Sequence, residues 1–215
     1  MMPIMKPLRL LLAAACLCAL PPALRADQPE KGKSPGGHLN YEIRPAADGK
    51  EIWVYRDNET GRANKMCETL GGANLKLSFS PDDRWIIVQD GGASLGVSLR
   101  LFHREGEHSY AERDKVDIGE KAEIAALKQD SGDGKAVSEK RYAECLDWSA
   151  DSQYILVRVS GKGNERYNHV QFRWIGVYDL DAGKFSTDLG KLNKPGLRRW
   201  PPGSTVSDLP FLGAQ

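Results

Sequence analysis

The chain has 215 residues and an almost balanced charge, with 30 lysines and arginines against 29 aspartates and glutamates. Proteins that bind nucleic acid normally show a clear basic excess, so this composition argues against a nucleic-acid partner. Hydrophobic residues make up 40% of the chain, which is sufficient for one domain with a buried core. Two domains are less favoured on length alone.

The first 26 residues have the pattern of a secretory leader. Lys6 and Arg9 precede an apolar run over 10–20, and a segment of prolines and small residues ends at Ala26. The pattern predicts export, with cleavage after Ala26. We expect no transmembrane segment, because the apolar run is well short of the about 20 residues that span a bilayer. A lipid anchor on Cys16 is the weaker alternative, since the apolar run continues beyond it.

Loss of this leader would change the formal charge from +1 to −2, because it removes three basic residues and no acidic one. It would also leave only two cysteines, Cys67 and Cys145. Two cysteines in an exported chain are most simply a disulfide, because such compartments are oxidising. A zinc site is a poor alternative, since there is no Cys-x-x-Cys spacing. We therefore predict a Cys67–Cys145 disulfide in a periplasmic or secreted protein.

The body of the protein is expected between two polar segments. Residues 27–38 lack apolar periodicity and are predicted to be a disordered lead-in. A single β-rich domain is expected over 39–200. The tail at 201–215 resembles the lead-in in composition, although apolar residues such as Leu209 are suited to docking on the body.

Three stretches repeat one pattern, an acidic turn that runs into an aromatic and β-branched strand. They begin at Asp48, Asp82 and Asp151, so their starts lie 34 and 69 residues apart. This spacing predicts a small supersecondary unit used three times with one insertion. The clearest turn is Ser80-Pro81-Asp82-Asp83, where proline sets φ and aspartate accepts from local amides.

Within this repeat, individual elements follow from local patterns. Residues 62–70 fit either a returning strand or a short helix. Four alternating strands over 75–112 have the content of one antiparallel blade. The insertion begins with Asp117 as an expected N-cap and predicts a helix over Ile118–Gln129. In the last long strand, Gly176 interrupts an aromatic face and predicts a bulge or a close approach of another backbone.

Three segments, Phe79–Val88, Trp148–Val157 and Val177–Lys184, resemble the TolB-type β-propeller repeats of exported bacterial proteins. The resemblance implies an all-β, mainly antiparallel fold of blade-like β-meander units with one short inserted helix. Closed propellers have four to eight blades, and about three are present here. We therefore predict a partial propeller or open sheet stack, in which the helix and tail cover strand edges. Closure of a ring with a second copy is the alternative.

Loops are the predicted contact surface. The glycine-rich stretch 90–96 lacks the helix and the Lys-Ser ending of a phosphate-binding loop, and loops carry binding more often than strands do. We predict that loops 90–96 and 161–168 bind a partner or ligand. The residues chosen for this role are Asp90, Gly91, Gly92, Ser94, Arg166 and Tyr167.

A pair of histidines suggests a metal site. A tight turn about Glu105-Gly106 would place His103 opposite His108, with Cβ atoms about 5 Å apart. Such a pair can hold zinc or copper with a third ligand such as Glu105. The simpler alternative is an exposed hairpin tip with solvated histidines.

The sequence favours binding over catalysis. The stretch Gly92-Ala93-Ser94-Leu95-Gly96 matches the Gly-x-Ser-x-Gly pattern, but no helix is expected after it, whereas a nucleophile elbow lies between a strand and a helix. The predicted function is an exported, non-enzymatic protein-interaction or ligand-binding module of the bacterial envelope, without a cofactor, that recognises an envelope protein or small ligand. The alternative is a metal-binding protein or metal-dependent hydrolase that uses His103 and His108. The basic segment Lys191–Trp200 is either a solvated connector or a contact for an anionic envelope polymer or acidic protein face.

Overall fold

A computed structural model describes residues 29–56, 63–72, 75–92, 96–107, 109–113, 117–131, 138–163 and 171–209. Within these ranges the chain forms twelve β-strands and one α-helix. The strands are β1 Glu30–Lys33, β2 Leu39–Ala46, β3 Gly49–Arg56, β4 Asn64–Thr69, β5 Lys76–Phe79, β6 Trp85–Gly92, β7 Gly96–Arg104, β8 Tyr110–Glu112, β9 Ser138–Trp148, β10 Tyr154–Gly163, β11 Gln171–Asp179 and β12 Lys184–Ser186. The helix is α1, Ile118–Ser131.

The strands form three successive four-stranded antiparallel units, which we call blades 1 (β1–β4), 2 (β5–β8) and 3 (β9–β12). Blade 1 is a separate sheet. A parallel contact of two residue pairs between β7 and β9 joins blades 2 and 3 into one eight-stranded sheet. Both sheets are open, which confirms the predicted class of mainly antiparallel blade-like units with one inserted helix.

One six-residue turn joins the first strand to the second in every blade. Its opening serine is Ser34, Ser80 or Ser149, and the serine amide donates to the carbonyl five residues later at 2.8, 3.0 and 2.9 Å respectively. The fourth residue has positive φ in each case, at Gly37 (73°), Asp83 (55°) and Ser152 (61°). The first repeat therefore begins at Ser34. The acidic turn at Asp48 joins β2 to β3 and is not equivalent to the other two.

The predicted disordered lead-in contains the first strand of blade 1. Residues 30–33 pair with β2 in a regular antiparallel register that runs from Glu30–Ile43 to Lys33–Asn40. The Ser34 turn reverses the chain to make this pairing possible, and Gly37 takes its positive φ without the strain of a Cβ. Residues 64–69, which fitted either a strand or a helix, form β4.

Blade 2 lies between the other two blades and is buried on both faces. On one face Ile86 and Val88 pack with blade 1 residues such as Ile52 and Val54. Strand β6 turns Ile87, which is fully buried, toward blade 3. Burial on both faces agrees with the continuous apolar run of this segment, Trp85-Ile86-Ile87-Val88.

Helix α1 covers the junction between blades 2 and 3. Ile118 and Ala122 pack into the same cluster as blade 3. Asp117 Oδ1 accepts from the Gly119 amide at 2.8 Å, as predicted for an N-cap, and also from the Leu99 amide of β7 at 2.8 Å. The Asp117 carboxylate therefore caps the N-terminus of α1 and also accepts from an amide of β7. This amide lies between the residues of β7 that pair with β9 and those that pair with β8. Arg141 of β9 pairs with this same carboxylate.

The C-terminal segment covers the face of blade 3 that points away from blade 2. It includes 3₁₀ helices at Leu189–Leu192 and Val206–Asp208. Leu189 and Leu192 are buried against Leu156 and Val177. The surrounding apolar side chains of this cluster are Leu146, Tyr154, Ile175, Trp200, Val206 and Leu209. We call residues 189–209 the covering segment.

Gly176 makes a close approach of a different kind from the one predicted. A Cβ at this position would lie 2.2 Å from the ring of Trp174. The indole therefore folds over the glycine within the aromatic face of β11, and the close neighbour is a side chain and not another backbone.

Among the described residues, no helix is both long and apolar enough to span a membrane.

Candidate binding groove

A groove of about 580 Å³ lies where the first strands of the three blades meet. We call it the first-strand groove, because β1, β5 and β9 all contribute to it. Its lining residues are Lys33, Pro35, Gly36, Tyr41, Leu77, Ser78, Phe79, Pro81, Leu146, Asp147, Trp148 and Lys194. All three blades and the covering segment are therefore needed to build it.

The walls of the groove are largely aromatic. Tyr41 of blade 1 stacks on Phe79 of blade 2, with ring centroids 5.5 Å apart. Trp148 of blade 3 donates its indole Nε1–H to Ser78 Oγ at 2.7 Å. Aromatic faces of this kind accept apolar and planar groups of a ligand. The hydroxyl of Ser78 is the acceptor in this contact, and Cys145 Sγ also donates to it, at 3.6 Å.

One edge of β5 faces the groove and pairs with no other strand among the described residues. Strand β5 ends the eight-stranded sheet and is paired with β6. Ser80 N–H donates to β6 at Trp85, and antiparallel pairs alternate between residues that bond to the partner and residues that do not. The amides and carbonyls of Leu77 and Phe79 therefore point away from β6. They offer the backbone groups that an added strand would use.

The carboxylate of the groove is already engaged. Asp147 Oδ2 accepts from Arg199 Nη1 at 2.8 Å, and Oδ1 accepts from the Trp148 amide at 2.9 Å. Arg199 therefore offsets the negative charge of Asp147. The lysines at the rim, Lys33 and Lys194, come from the first strand and from the covering segment, and both are exposed.

Contacts between successive turns hold the groove in shape. Ser34 Oγ donates to Asp83 Oδ2 at 3.1 Å, which ties the blade 1 turn to the blade 2 turn. The Asp82 amide donates to Ser152 Oγ at 3.2 Å, which ties blade 2 to blade 3. The positive-φ residue of each later turn thus reaches the turn before it. Burial acts to raise the pKa of Asp82, but the hydrogen bonds from Ser80, Arg84 and Ser152 together outweigh it and hold the pKa below its ordinary value.

The predicted contact loops are only partly described. Strand β6 continues through Asp90, Gly91 and Gly92, so these residues belong to a strand and not to a loop. Asp90 is buried, and its Oδ2 accepts from the Leu70 amide at 2.9 Å. Ser94, Arg166 and Tyr167 lie outside the described residues. Binding by these loops stays a prediction.

The predicted pairing of the two histidines is wrong in its register. His103 pairs across the hairpin with Ala111, because the β7–β8 connection is longer than the tight turn expected at Glu105-Gly106. The imidazole packs on Trp85, with ring centroids 4.4 Å apart. His108 lies outside the described residues. Within the described ranges, no group of three or more His, Cys, Asp or Glu side chains is arranged to hold a metal ion.

The predicted disulfide is absent, and Cys67 and Cys145 are free thiols. Cys67 packs in the cluster between blades 1 and 2, whereas Cys145 packs against the cluster between blades 2 and 3. Blade 2 therefore stands between them. Burial raises the pKa of each thiol to about 12, so both are protonated and poorly nucleophilic at neutral pH.

The basic segment Lys191–Trp200 lies along blade 3. Lys191 Nζ sits 4.7 Å from the ring centre of Tyr154 and 3.9 Å from Asp179 Oδ2. Arg199 bonds to Asp147 and lies over Trp200 at 5.3 Å. Lys191 and Arg199 of this segment therefore interact with acidic and aromatic side chains of the protein itself, while Lys194 reaches the first-strand groove.

Comparisons with known proteins return propellers of low similarity. No family model and no curated protein matches the sequence. The structure is similar to TolB from Acinetobacter baumannii, with 12% identity, a TM-score of 0.39, and coverage of 77% of this chain and 34% of TolB. It is also similar to the β-propeller domain of the Trilobed protease from Pyrococcus furiosus, with 16% identity, a TM-score of 0.32, and coverage of 70% and 54% respectively. The chain thus spans about a third to a half of these proteins.

Proposed function

We propose that this protein is an exported, non-enzymatic interaction module of the bacterial envelope that binds an extended peptide segment of a partner protein in the first-strand groove. The free edge of β5 carries the proposal. An extended segment placed there would bond to the backbone of Leu77 and Phe79, and its side chains would reach the aromatic walls. Export rests on the leader pattern of the sequence.

The groove suits a peptide better than a substrate for hydrolysis. Its carboxylate, Asp147, is held by Arg199, and its hydroxyl, Ser78, accepts from an indole. A nucleophile needs a base within hydrogen-bond reach, and neither group has that arrangement. Binding through backbone hydrogen bonds with side-chain pockets requires neither.

The test is a selection of random linear dodecapeptides displayed on phage, with the purified protein as target. Leu77→Pro removes the N–H that points into the groove. Because this N–H does not bond to β6, proline is tolerated there as it is on other edge strands. Leu77→Ala is the matched control, since it shortens the same side chain but keeps the N–H.

We expect selected peptides to bind the unmodified protein and Leu77→Ala, and to lose at least tenfold in affinity for Leu77→Pro. Circular dichroism and melting temperature would establish that both variants fold. Selection of no peptide, or equal binding to both variants, would contradict the proposal. Turnover of a common hydrolase substrate by the purified protein would overturn the non-enzymatic assignment.

A further inference from the structure

We infer that the bound segment is anchored by one aromatic side chain, which packs on the Tyr41 ring at the blade 1 side of the first-strand groove. This inference rests on the proposed peptide groove and names the class of peptide that it takes. The edge of β5 offers backbone contacts to any extended segment. The walls on its two sides differ, and they decide which side chains fit.

Strand β5 separates the two walls. Phe79 packs into the cluster between blades 1 and 2, whereas the Ser78 hydroxyl accepts from the Trp148 indole of blade 3 at 2.7 Å. Residues that lie side by side in neighbouring strands point their side chains to the same face of the sheet. A ligand residue beside Phe79 therefore points its side chain toward blade 1, and its two neighbours point theirs toward blade 3.

The blade 1 wall is aromatic and partly open. Tyr41 is half-buried and stacks on Phe79, with ring centroids 5.5 Å apart. A Cβ at Gly32 would lie 2.4 Å from Cζ of Tyr41, so the glycine allows the ring to lie against the backbone of β1. Two exposed prolines, Pro35 and Pro81, line the groove on this side. An aromatic side chain of a ligand can pack on such a surface by stacking or edge-to-face contact.

Charge does not favour an acidic or a basic residue at this wall. A Cβ at Gly36 would lie 2.6 Å from Asp83 Oδ2, so the Asp83 carboxylate lies directly behind this glycine. Asp83 is 1% exposed; its Oδ2 accepts from Ser34 Oγ at 3.1 Å, and its Oδ1 is buried without a hydrogen-bond partner among the described residues. The buried carboxylate repels an acidic side chain and cannot be contacted by a basic one. Lys33 at the rim already has an interaction within the protein.

The blade 3 wall offers no equivalent aromatic surface. Trp148 is 6% exposed, and its indole N–H is bonded to Ser78. The accessible groups there include the ion pair of Asp147 with Arg199, whose atoms lie 2.8 Å apart. The two neighbours of the aromatic residue therefore meet polar groups. Selection for an aromatic side chain is confined to the face of the bound strand that points toward blade 1.

The experiment removes the aromatic contact from each partner in turn. The dodecapeptide library is selected on the unmodified protein, and individual fluorescein-labelled peptides are then scanned with alanine. Their binding is measured to the unmodified protein, Tyr41→Phe and Tyr41→Ala. Tyr142→Ala is the matched control, because Tyr142 is 49% exposed and is not among the described lining residues of the groove. Circular dichroism and melting temperature establish that each variant folds.

We expect the selected peptides to share one Phe, Tyr or Trp whose replacement by alanine lowers the affinity at least about tenfold, as burial of an aromatic side chain predicts. Tyr41→Ala should lower the affinity by a similar factor, whereas Tyr41→Phe keeps the ring and should bind normally. The two changes together should cost about as much as either alone, because the two rings contact each other. Tyr142→Ala should bind like the unmodified protein.

A photo-crosslink locates the aromatic residue without any change to the protein. A selected peptide carries p-benzoylphenylalanine in place of its aromatic residue, and the attachment site is mapped by mass spectrometry. Attachment within residues 33–41 or 77–81 is expected. Attachment anywhere else, including residues 146–148 and the covering segment, would overturn the inference.

The outcomes separate this inference from the proposed function. Peptides that lose affinity for Leu77→Pro, but tolerate alanine at every position or bind Tyr41→Ala as well as the unmodified protein, would overturn the aromatic anchor alone. Selection of no peptide, or of peptides that bind Leu77→Pro and Leu77→Ala equally, would overturn both. If Tyr41→Ala does not fold, the alanine scan and the photo-crosslink decide.

Discussion

Blades 1 and 3 each have one face without a neighbouring blade, and they cover it in different ways. The free face of blade 1 is covered by its own charged and aromatic side chains, in which Glu42 bonds to Lys31, Arg44 and Tyr55. The free face of blade 3 is apolar and is covered by residues 189–209. The end units of repeat proteins must present a surface compatible with water, and here a polar network and a covering segment both achieve this.

The two faces differ in what stabilises them. On blade 1, Arg44 lies 4.3 Å from the ring centre of Trp53, and Lys65 pairs with Glu51 and Glu68. Exposed pairs of this type contribute little and are screened by salt. On blade 3 the stabilisation comes from burial of leucines and is insensitive to salt. The C-terminal end of the stack is therefore expected to depend more strongly on single residues than the N-terminal end.

The largest effect is expected in the covering segment. Leu189 is fully buried, so Leu189→Ala should lower the free energy of unfolding by about 2–5 kcal/mol. Leu197 in the same segment is 62% exposed. Leu197→Ala should therefore change the free energy of unfolding by less than about 0.5 kcal/mol. Urea denaturation followed by tryptophan fluorescence measures both. Equal effects of the two substitutions would show that the segment does not cover blade 3 as described.

An intermediate effect is expected at the serine turns, which both ends share. Ser149 Oγ donates to Asp151 at 2.6 Å and accepts from the Tyr154 amide at 2.9 Å. Ser149→Ala should therefore cost about 1–3 kcal/mol, because the partly buried Tyr154 amide loses its acceptor. Ser186 is the matched control, because its buried hydroxyl has no hydrogen-bond partner among the described residues. Ser186→Ala should be neutral or slightly stabilising by the same denaturation assay, and a large loss there would contradict this account of the hydroxyls.

The smallest effect is expected on the charged face of blade 1, and it depends on pH. The hydrogen bond from Lys31 lowers the pKa of Glu42, with Arg44 acting in the same direction and burial opposing. A carboxyl with a lowered pKa in the folded state stabilises the fold above its unfolded pKa of about 4.3, and this contribution is lost as the pH falls. Glu42→Gln should cost about 1 kcal/mol at pH 7 and little at pH 3.

Thermal unfolding of Glu42→Gln between pH 7 and pH 3 measures this dependence. Glu30→Gln on β1 is the control, since Glu30 is exposed and should not change the dependence on pH. Added salt should reduce the effect of Glu42→Gln but leave that of Leu189→Ala unchanged. A cost for Glu42→Gln that is the same at both pH values would contradict the assigned ionic network.

Features encoded by neighbouring residues could be predicted from the sequence. The strand β6 follows from Ser80-Pro81-Asp82-Asp83 and the apolar run after it. Helix α1 follows from Asp117 and the spacing of its apolar residues. The acidic pattern misses the blade 1 turn because Gly36 and Gly37 stand where the blade 2 turn has Asp82 and Asp83, although Ser34 accepts from the Leu39 amide as the other turn serines do.

Features that depend on distant residues could not be predicted. The cysteine count gave no information on which face each thiol occupies, so Cys67 and Cys145 were paired although blade 2 separates them. The residue that pairs with His103 depends on the length of the connection between β7 and β8. The sequence of that connection does not determine its length. The first-strand groove joins Lys33 to Lys194, and no periodic pattern extends over such a separation.

The central claim is that the three blades form an open stack whose two end faces are covered within one chain. The alternative is a ring made with a second copy, which would require the face of blade 3 now covered by residues 189–209. Sedimentation equilibrium of the purified protein from 1 to 100 μM tests this most directly. The account predicts the mass of one chain throughout. A stable dimer that dissociates when Leu189 and Leu192 are replaced by aspartate would contradict it.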